Sequence, residues 1–395
     1  MIAKINDLLK IIFFLLLSVC LIWQSLQRPR VLVVQSYAND FSWTREIDNA
    51  ISRTLAPWHY EVRHFYMDTK KRSSDKFKKQ AARRVKKQID NWSPDVVIAV
   101  DDNAQSLVSG CYVNVEALDP AEVVKLKQRL PALGECYRRH STMKIVFAGV
   151  GAEPKDYGFS GQGHIGGILD PVDAKFLSLS LQEVKNQLAK EQLKIIAPVD
   201  DSVTSAYNLK HSLRELAREL KPLAIDIEYP VMVTLADWQQ QIQQASRQGD
   251  LLLFTLYHTV RCRADKGSRR IAPRDLIRWT LANSKIPAIG TYGFFVEDGG
   301  YFALGVSPLE QGSEAAKMAV DYLELGILPG EQAVRTTHQS IVYMREHRAE
   351  KQGFDLPVVY RNFARATGNY LKGCQQKKGA CRTTRVPDLD LYCRS

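Results

Sequence analysis

The chain has 395 residues, is 45% apolar and 25% charged, and contains no low-complexity tract. That length supports two α/β domains with cores of their own and excludes a disordered or fibrous chain. The formal net charge of +11 lies largely in 70–87 (KKRSSDKFKKQAARRVKK) and in the tail from Arg361 onward.

The N-terminus sets the compartment. Lys4 and Lys10 precede an uncharged apolar run of thirteen residues, 11–23 (IIFFLLLSVCLIW). Its length suits a signal-peptide core or a short membrane anchor. No Ala-x-Ala cleavage site follows, and Val19 stands where a lipoprotein box at Cys20 wants a small residue. An uncleaved anchor over 1–29 is therefore expected, ahead of a cleaved signal and of lipidation at Cys20. All three put the body outside the cytoplasm, and the anchored form sits on the inner membrane.

Strand and helix patterns then alternate. Strands are expected at 30–35, 59–67, 95–100 and 144–150, with helices over 43–55 and 73–92. The second helix carries Phe77, Ala81, Val85 and Ile89 on one narrow apolar stripe beneath a wide basic face. Basic faces bind nucleic acid or anionic lipid. The one aromatic residue of the segment, Phe77, lies on the apolar stripe, so none stands on the basic face to stack bases; a solvated face near an anionic membrane is preferred and nucleic acid is not expected as a partner. Seven glycines between Gly149 and Gly167 mark an expected boundary between lobes. Beyond it strands recur at 165–169, 193–199, 224–232, 250–257, 286–292, 301–306 and 340–344, with helices between them. This alternation predicts parallel sheets with crossover helices. The expected division is 30–153 plus 293–333 for one lobe, 154–292 plus 334–360 for the other, and 361–395 as a basic tail.

Six cysteines follow the apolar run: Cys111, Cys136, Cys262, Cys374, Cys381 and Cys393. In an oxidising compartment they suggest disulfides, with fifteen possible connectivities if all six pair. Cys111 and Cys136 bracket a polar insertion, and Cys374 and Cys381 bracket a short tail loop; both pairs are candidates. A buried free thiol is the alternative for Cys262. No metal-ligand spacing accompanies them.

Two motifs fail on context. Gly161–Gly166 matches G-x-G-x-x-G, but no strand leads into it and a strand pattern follows, so no dinucleotide cofactor is expected. Gln162 replaces the second glycine of G-x-S-x-G after Ser160. His258 has no nucleophile to pair with, and an enzyme is not expected.

Polar and aromatic groups end strand after strand, and ligands of open parallel sheets bind outside the carboxyl ends of strands. Ser36 and Tyr37, with Trp43 beyond, follow the first strand. Asp101, Asp102 and Asn103 follow the third. In the second half Asp200, Tyr257 and Tyr292 hold similar places. These nine residues are the candidate contacts for a small polar ligand; the carboxylates favour an ammonium group, and the alternative for each is a helix cap.

An ordered series of short motifs supports a resemblance. Ser36-Tyr37 with Phe41-Ser42-Trp43, Tyr66-Met67-Asp68-Thr69-Lys70, Asp101-Asp102-Asn103-Ala104, 145–150 (IVFAGV), Glu310-Gln311-Gly312 and Leu325-Gly326 resemble the substrate-binding family of ABC transporters that includes tryptophan-type periplasmic components. The resemblance runs from about Arg30 to His347. It implies a type I periplasmic-binding-protein fold, with two Rossmann-like lobes, three crossings and a hinge. It also implies capture of an amino-acid-like solute for a permease. Similar domains serve as extracytoplasmic sensors, so the alternative is a membrane-tethered sensory or scaffold subunit that signals to a membrane partner. A neighbouring permease gene would favour transport, a kinase or cyclase gene sensing.

Overall fold

The computed structural model describes residues 10–18, 28–346 except 73, 131, 171, 172 and 266, and then 356–371 and 386–394. The expected membrane segment falls largely outside them. A helical stretch covers 10–18, about 14 Å of helix against the roughly 30 Å of a bilayer's hydrocarbon core. No helix among the described residues is long and apolar enough to cross a membrane.

Two sheets organise the body. The first is built from β1 (Arg30–Gln35), β2 (Glu61–Tyr66), β3 (Val96–Val100), β4 (Lys144–Val150) and β5 (Ile165–Leu169). Next along the chain come β6 (Leu193–Ile196), β7 (Val199–Asp200), β8 (Ile225–Glu228), β9 (Val231–Met232), β10 (Leu251–Phe254), β11 (Ala288–Gly290) and β12 (Phe302–Val306). The last strands are β13 (Arg335–Thr336), β14 (Ser340–Arg345) and β15 (Tyr370–Leu371). The first sheet has the order β13-β5-β4-β3-β1-β2 and the second β15-β14-β12-β11-β10-β6-β8; β7 and β9 form a small third pair. Every pairing is parallel except β12 with β14. In β3 all five residues are buried, so its side chains pack on both faces, as a central parallel strand requires.

The strands fall differently from the expected division. β5 pairs with β4 in the first sheet, not in the second lobe. β12 belongs to the second sheet and β13 to the first. The chain thus passes between the sheets after β5, after β12 and after β13. Two of the glycines read as a flexible crossing, Gly166 and Gly167, are instead packing positions inside β5. A Cβ on Gly166 would lie 1.8 Å from the carbonyl oxygen of Pro329, and one on Gly167 would lie 2.1 Å from that of Phe147. Helix Pro308–Leu325 returns to the first lobe, where Gly312 lets it approach the backbone of helix Ser42–Leu55.

Cys111 and Cys136 are bonded to each other across 25 residues. The insertion they bracket is less polar than its sequence suggests: Tyr112, Leu126, Leu130 and Leu133 are buried with Phe147 and Phe159 in the first lobe's outer core. Replacing both cysteines by serine is expected to cost about 3 kcal/mol on the chain-entropy argument. Denaturant unfolding of the variant checks this, and an unchanged midpoint would show that the apolar contacts alone hold the insertion. Cys262 is no free thiol; it is bonded to Cys393, 131 residues away. Cys374 and Cys381 lie outside the described residues.

Candidate functional site

The carboxyl ends of β1, β3, β4 and β5 meet along one edge of the first lobe and face residues that follow β10 and β11 in the second. The switch from β3 into helix Asp101–Leu107 is made at Asp101, whose φ of +67° lies in the left-handed region. A non-glycine residue held there is a frequent mark of a functional turn. Indole Nε1 of Trp43 donates to Asp101 Oδ1 at 3.2 Å, while Asp101 Oδ2 is buried with no hydrogen-bond partner. Asp170, the first residue after β5, is 8% exposed, and its Oδ1 is likewise unpartnered.

Burial raises both carboxyls well above the usual range. Asp102 and Asp101 add repulsion at Asp170, as Asp102 does at Asp101, where Lys70 and the Trp43 hydrogen bond pull the other way. Deprotonated, these groups form a concentrated negative site with too few donors of its own. Asp102 is different. Its Oδ1 accepts from Tyr157 at 2.7 Å and its Oδ2 from Thr204 of the second lobe at 2.5 Å. It therefore bridges the two lobes.

Rings line the space between. Trp43 meets Tyr292 edge-on at 5.9 Å, Tyr292 stacks on Phe294 at 5.1 Å, and Phe41 stacks on Phe294 at 5.8 Å. Tyr37 packs edge-on against Phe41. Lys70 places its ammonium 3.9 Å from the Phe41 ring centre, 4.6 Å from that of Tyr37 and 5.3 Å from that of Phe294. Burial pushes its pKa down to about 8, opposed by Asp101, Asp200 and Asp298. The half-buried Arg270 lies close enough to depress it further. His258 is sandwiched between Tyr257 at 4.7 Å and Phe294 at 4.6 Å, with Nδ1 buried and unpartnered. Burial, with Lys70 and Arg270 nearby, pushes its pKa well below the ordinary value, so it is neutral.

The nine sequence-chosen residues thus have distinct surroundings. Tyr37, Trp43, Asp101 and Tyr292 lie at the interface between the lobes, and Asp102 bridges it. Ser36 is buried; its Oγ donates to the Val100 carbonyl at 2.6 Å and accepts from Ala104 N–H at 2.8 Å, which ties down the start of the helix. Asn103 is half-buried on the same helix. Asp200 accepts from Ser202 N–H, Ser205 Oγ and Thr259 N–H, all within its own lobe. Tyr257 donates to Asp298 at 2.8 Å, and burial raises the Asp298 pKa to about 6. Asp170, Lys70, Phe41 and Phe294 are the residues that the strand-end rule did not select. Asp170 does obey that rule, but sequence order places its strand in the other lobe, whereas β5 pairs with β4. Lys70 sits in a lysine run that reads as solvated.

Two sheets, parallel but for the β12–β14 pair, joined by three crossings and with polar strand ends facing across a ring-lined interface, define the type I periplasmic-binding-protein-like fold. Solved structures share it. A conserved domain protein from Vibrio cholerae O1 biovar El Tor is 17% identical, with a TM-score of 0.58 over 85% of this chain and 98% of that one. An ABC domain from Streptococcus pneumoniae, solved in complex with L-Trp, is 14% identical, with a TM-score of 0.54 over 84% and 98%. A ligand-free, open substrate-binding protein with adhesive properties from Clostridium difficile is 12% identical, with a TM-score of 0.55 over 88% and 100%. No family model matches the sequence, and no curated protein matches it.

Proposed function

We propose that the chain is an extracytoplasmic solute-binding protein that captures a small zwitterionic, amino-acid-like ligand between its lobes for an ABC-type importer. The reading rests above all on the two buried, unpartnered carboxylate oxygens of Asp101 and Asp170. A buried carboxylate without donors is costly, and a ligand ammonium would supply the missing donors. Lys70 and Arg270 carry the opposite charge and suit a ligand carboxylate, with the rings of Trp43, Tyr292 and Phe294 for a flat body between. The L-Trp bound to the Streptococcus pneumoniae domain is a ligand of that kind. Two disulfides fit an oxidising compartment, and the apolar run 11–23 fits export with a retained N-terminal anchor. Ligand contacts to both lobes would favour the closed form that Asp102 and Thr204 bridge, and a hinge equilibrium would shift accordingly.

Calorimetry with a panel of L-amino acids, each beside its decarboxylated and deaminated analogue, tests this. Binding is expected only where both charges are present; equal binding of the analogues, or no binding by any member, overturns the reading. The pH profile adds a second check. Lys70 is charged below about 8, so affinity is expected to fall as pH rises from 7 through that value. In Lys70→Met the affinity should be weaker at pH 7 and the step near 8 absent. A step of full size in the variant would assign the titration elsewhere.

A further inference from the structure

The ligand cleft lies at the carboxyl ends of the first lobe's strands. The opposite edge, where those strands begin, has a character of its own. The chain enters there: Arg30 N–H donates to Asp95 Oδ2 at 2.7 Å, and the Pro29 carbonyl accepts from Glu61 N–H at 2.8 Å. Beside this entry stand three exposed apolar side chains, Trp58 at 39%, Leu325 at 68% and Ile327 at 41% exposure. Trp58 and Leu325 are neighbours, because Trp58 stacks on Tyr60 and the Tyr60 hydroxyl donates to Glu324, next to Leu325; Ile327 follows two residues further along the chain.

The basic helix Asp75–Trp92 ends at the same edge, where the Arg30 guanidinium donates to the Trp92 carbonyl at 2.9 Å. Ala81, Ala82, Val85, Ile89 and Trp92 are buried against the sheet, which turns Lys76, Lys79, Arg83, Arg84 and Lys87 to solvent. None of these five makes an ion pair among the described residues.

We infer that the base of the first lobe is a docking surface for an anionic lipid bilayer, with Trp58, Leu325 and Ile327 seated in the interfacial layer and the last turns of the basic helix, which carry Arg83, Arg84 and Lys87, near acidic headgroups. An exposed tryptophan among aliphatic side chains suits the headgroup region, where one end of the ring is apolar and the other wet. Lysines and arginines held close to such a surface each add attraction that salt screens. The apolar run 11–23 lies a few residues before the entry point, so it would bring this edge, and not the cleft, to the membrane. Disulfides place the same face outside the compartment that holds nucleic acid. The surface would hold the first lobe near the membrane while the second lobe stays free to move against it.

The full chain is tested on phosphatidylcholine vesicles with and without phosphatidylglycerol, by hydroxyl-radical footprinting and by flotation. On vesicles containing phosphatidylglycerol, oxidation of Trp58, Leu325 and Ile327 is expected to fall several-fold. Val359 and Phe363, exposed on the second lobe, serve as controls and should be unchanged. The triple variant R83Q/R84Q/K87Q should weaken binding to phosphatidylglycerol vesicles on the order of tenfold and leave binding to phosphatidylcholine unaltered. Its thermal melt shows whether it is folded, and W58S/L325S is the independent variant, expected to lose footprint protection at the remaining Ile327. Oxidation of Trp58 at the lipid-free rate, protection that does not depend on phosphatidylglycerol, or release of the protein from vesicles by duplex DNA at physiological salt would overturn the assignment. None of these outcomes depends on whether a solute binds in the cleft.

Discussion

Asp170→Asn is expected to weaken ligand binding by one to two decades and, in the same variant, to raise the melting temperature at neutral pH. The first effect follows from losing a charge-assisted hydrogen bond to an ammonium group, roughly 1.5–3 kcal/mol. The second follows from the surroundings of this carboxyl. Burial first, and then Asp101 and Asp102, raise its pKa in the folded protein well above the ordinary value. The native state therefore holds a proton that the unfolded chain has already released, and stability falls as pH rises from the unfolded value near 4 through the raised one. Asparagine has nothing to release and escapes that loss. Thermal melts of the two proteins should agree near pH 4 and separate towards pH 7, where the variant gains about 1–3 kcal/mol, or a few degrees. Asp101→Asn should behave similarly, with a smaller gain because Trp43 already donates to one of its oxygens. A variant that binds as well as the parent would show that Asp170 faces no ligand; one that melts lower at every pH would show that the carboxylate is structural.

That opposition between stability and binding explains which site residues the sequence disclosed. β1, β3 and β4 are legible because residues buried on both faces must be apolar throughout, and the abrupt change at Asp101 marks where the strand leaves the core. Asp170 carries the same signal after 165–169 (IGGIL). In sequence Gly166 and Gly167 resemble a hinge, which hides the strand that Asp170 ends; in the fold Pro329 and Phe147 pack on them. Strand-end polar residues are not equivalent, and composition does not separate them. Asp200 and Asp101 look alike in sequence, yet three donors of its own lobe surround Asp200, while Asp101 has one. Lys70 illustrates the remaining limit. It stands four residues past β2, after a left-handed Asp68 with φ of +54°. Only the folded chain brings Phe294, more than two hundred residues away, against its ammonium. No periodicity in a run of lysines reports such a contact.

Breaking the Cys262–Cys393 bond is expected to be the most damaging change to stability outside the core. The bond closes a loop of 131 residues, and on the chain-entropy argument a closure of that length restricts the unfolded chain by about 4–5 kcal/mol. Its native contacts extend the effect to the cleft. The short helix Leu389–Arg394 lies against the second lobe through the buried Leu389, and the Tyr392 hydroxyl donates to the Arg270 carbonyl at 3.0 Å. The Arg269 guanidinium covers the Tyr392 ring at 3.7 Å. The segment from Tyr257 to Ile271 thus carries His258 and Arg270 at the site and is pinned at Cys262 and Arg270 by the chain's far end. Cys262→Ser/Cys393→Ser should therefore lower the denaturant midpoint and also weaken binding of a ligand whose carboxylate faces Arg270. Binding to Asp101 and Asp170 alone, as with the decarboxylated analogue, should change little. A lower midpoint with unchanged affinity for both compounds would separate the C-terminal helix from the cleft and leave it a purely structural clamp. An unchanged midpoint would mean that the helix holds its place through Leu389 and Tyr392 without the covalent bond.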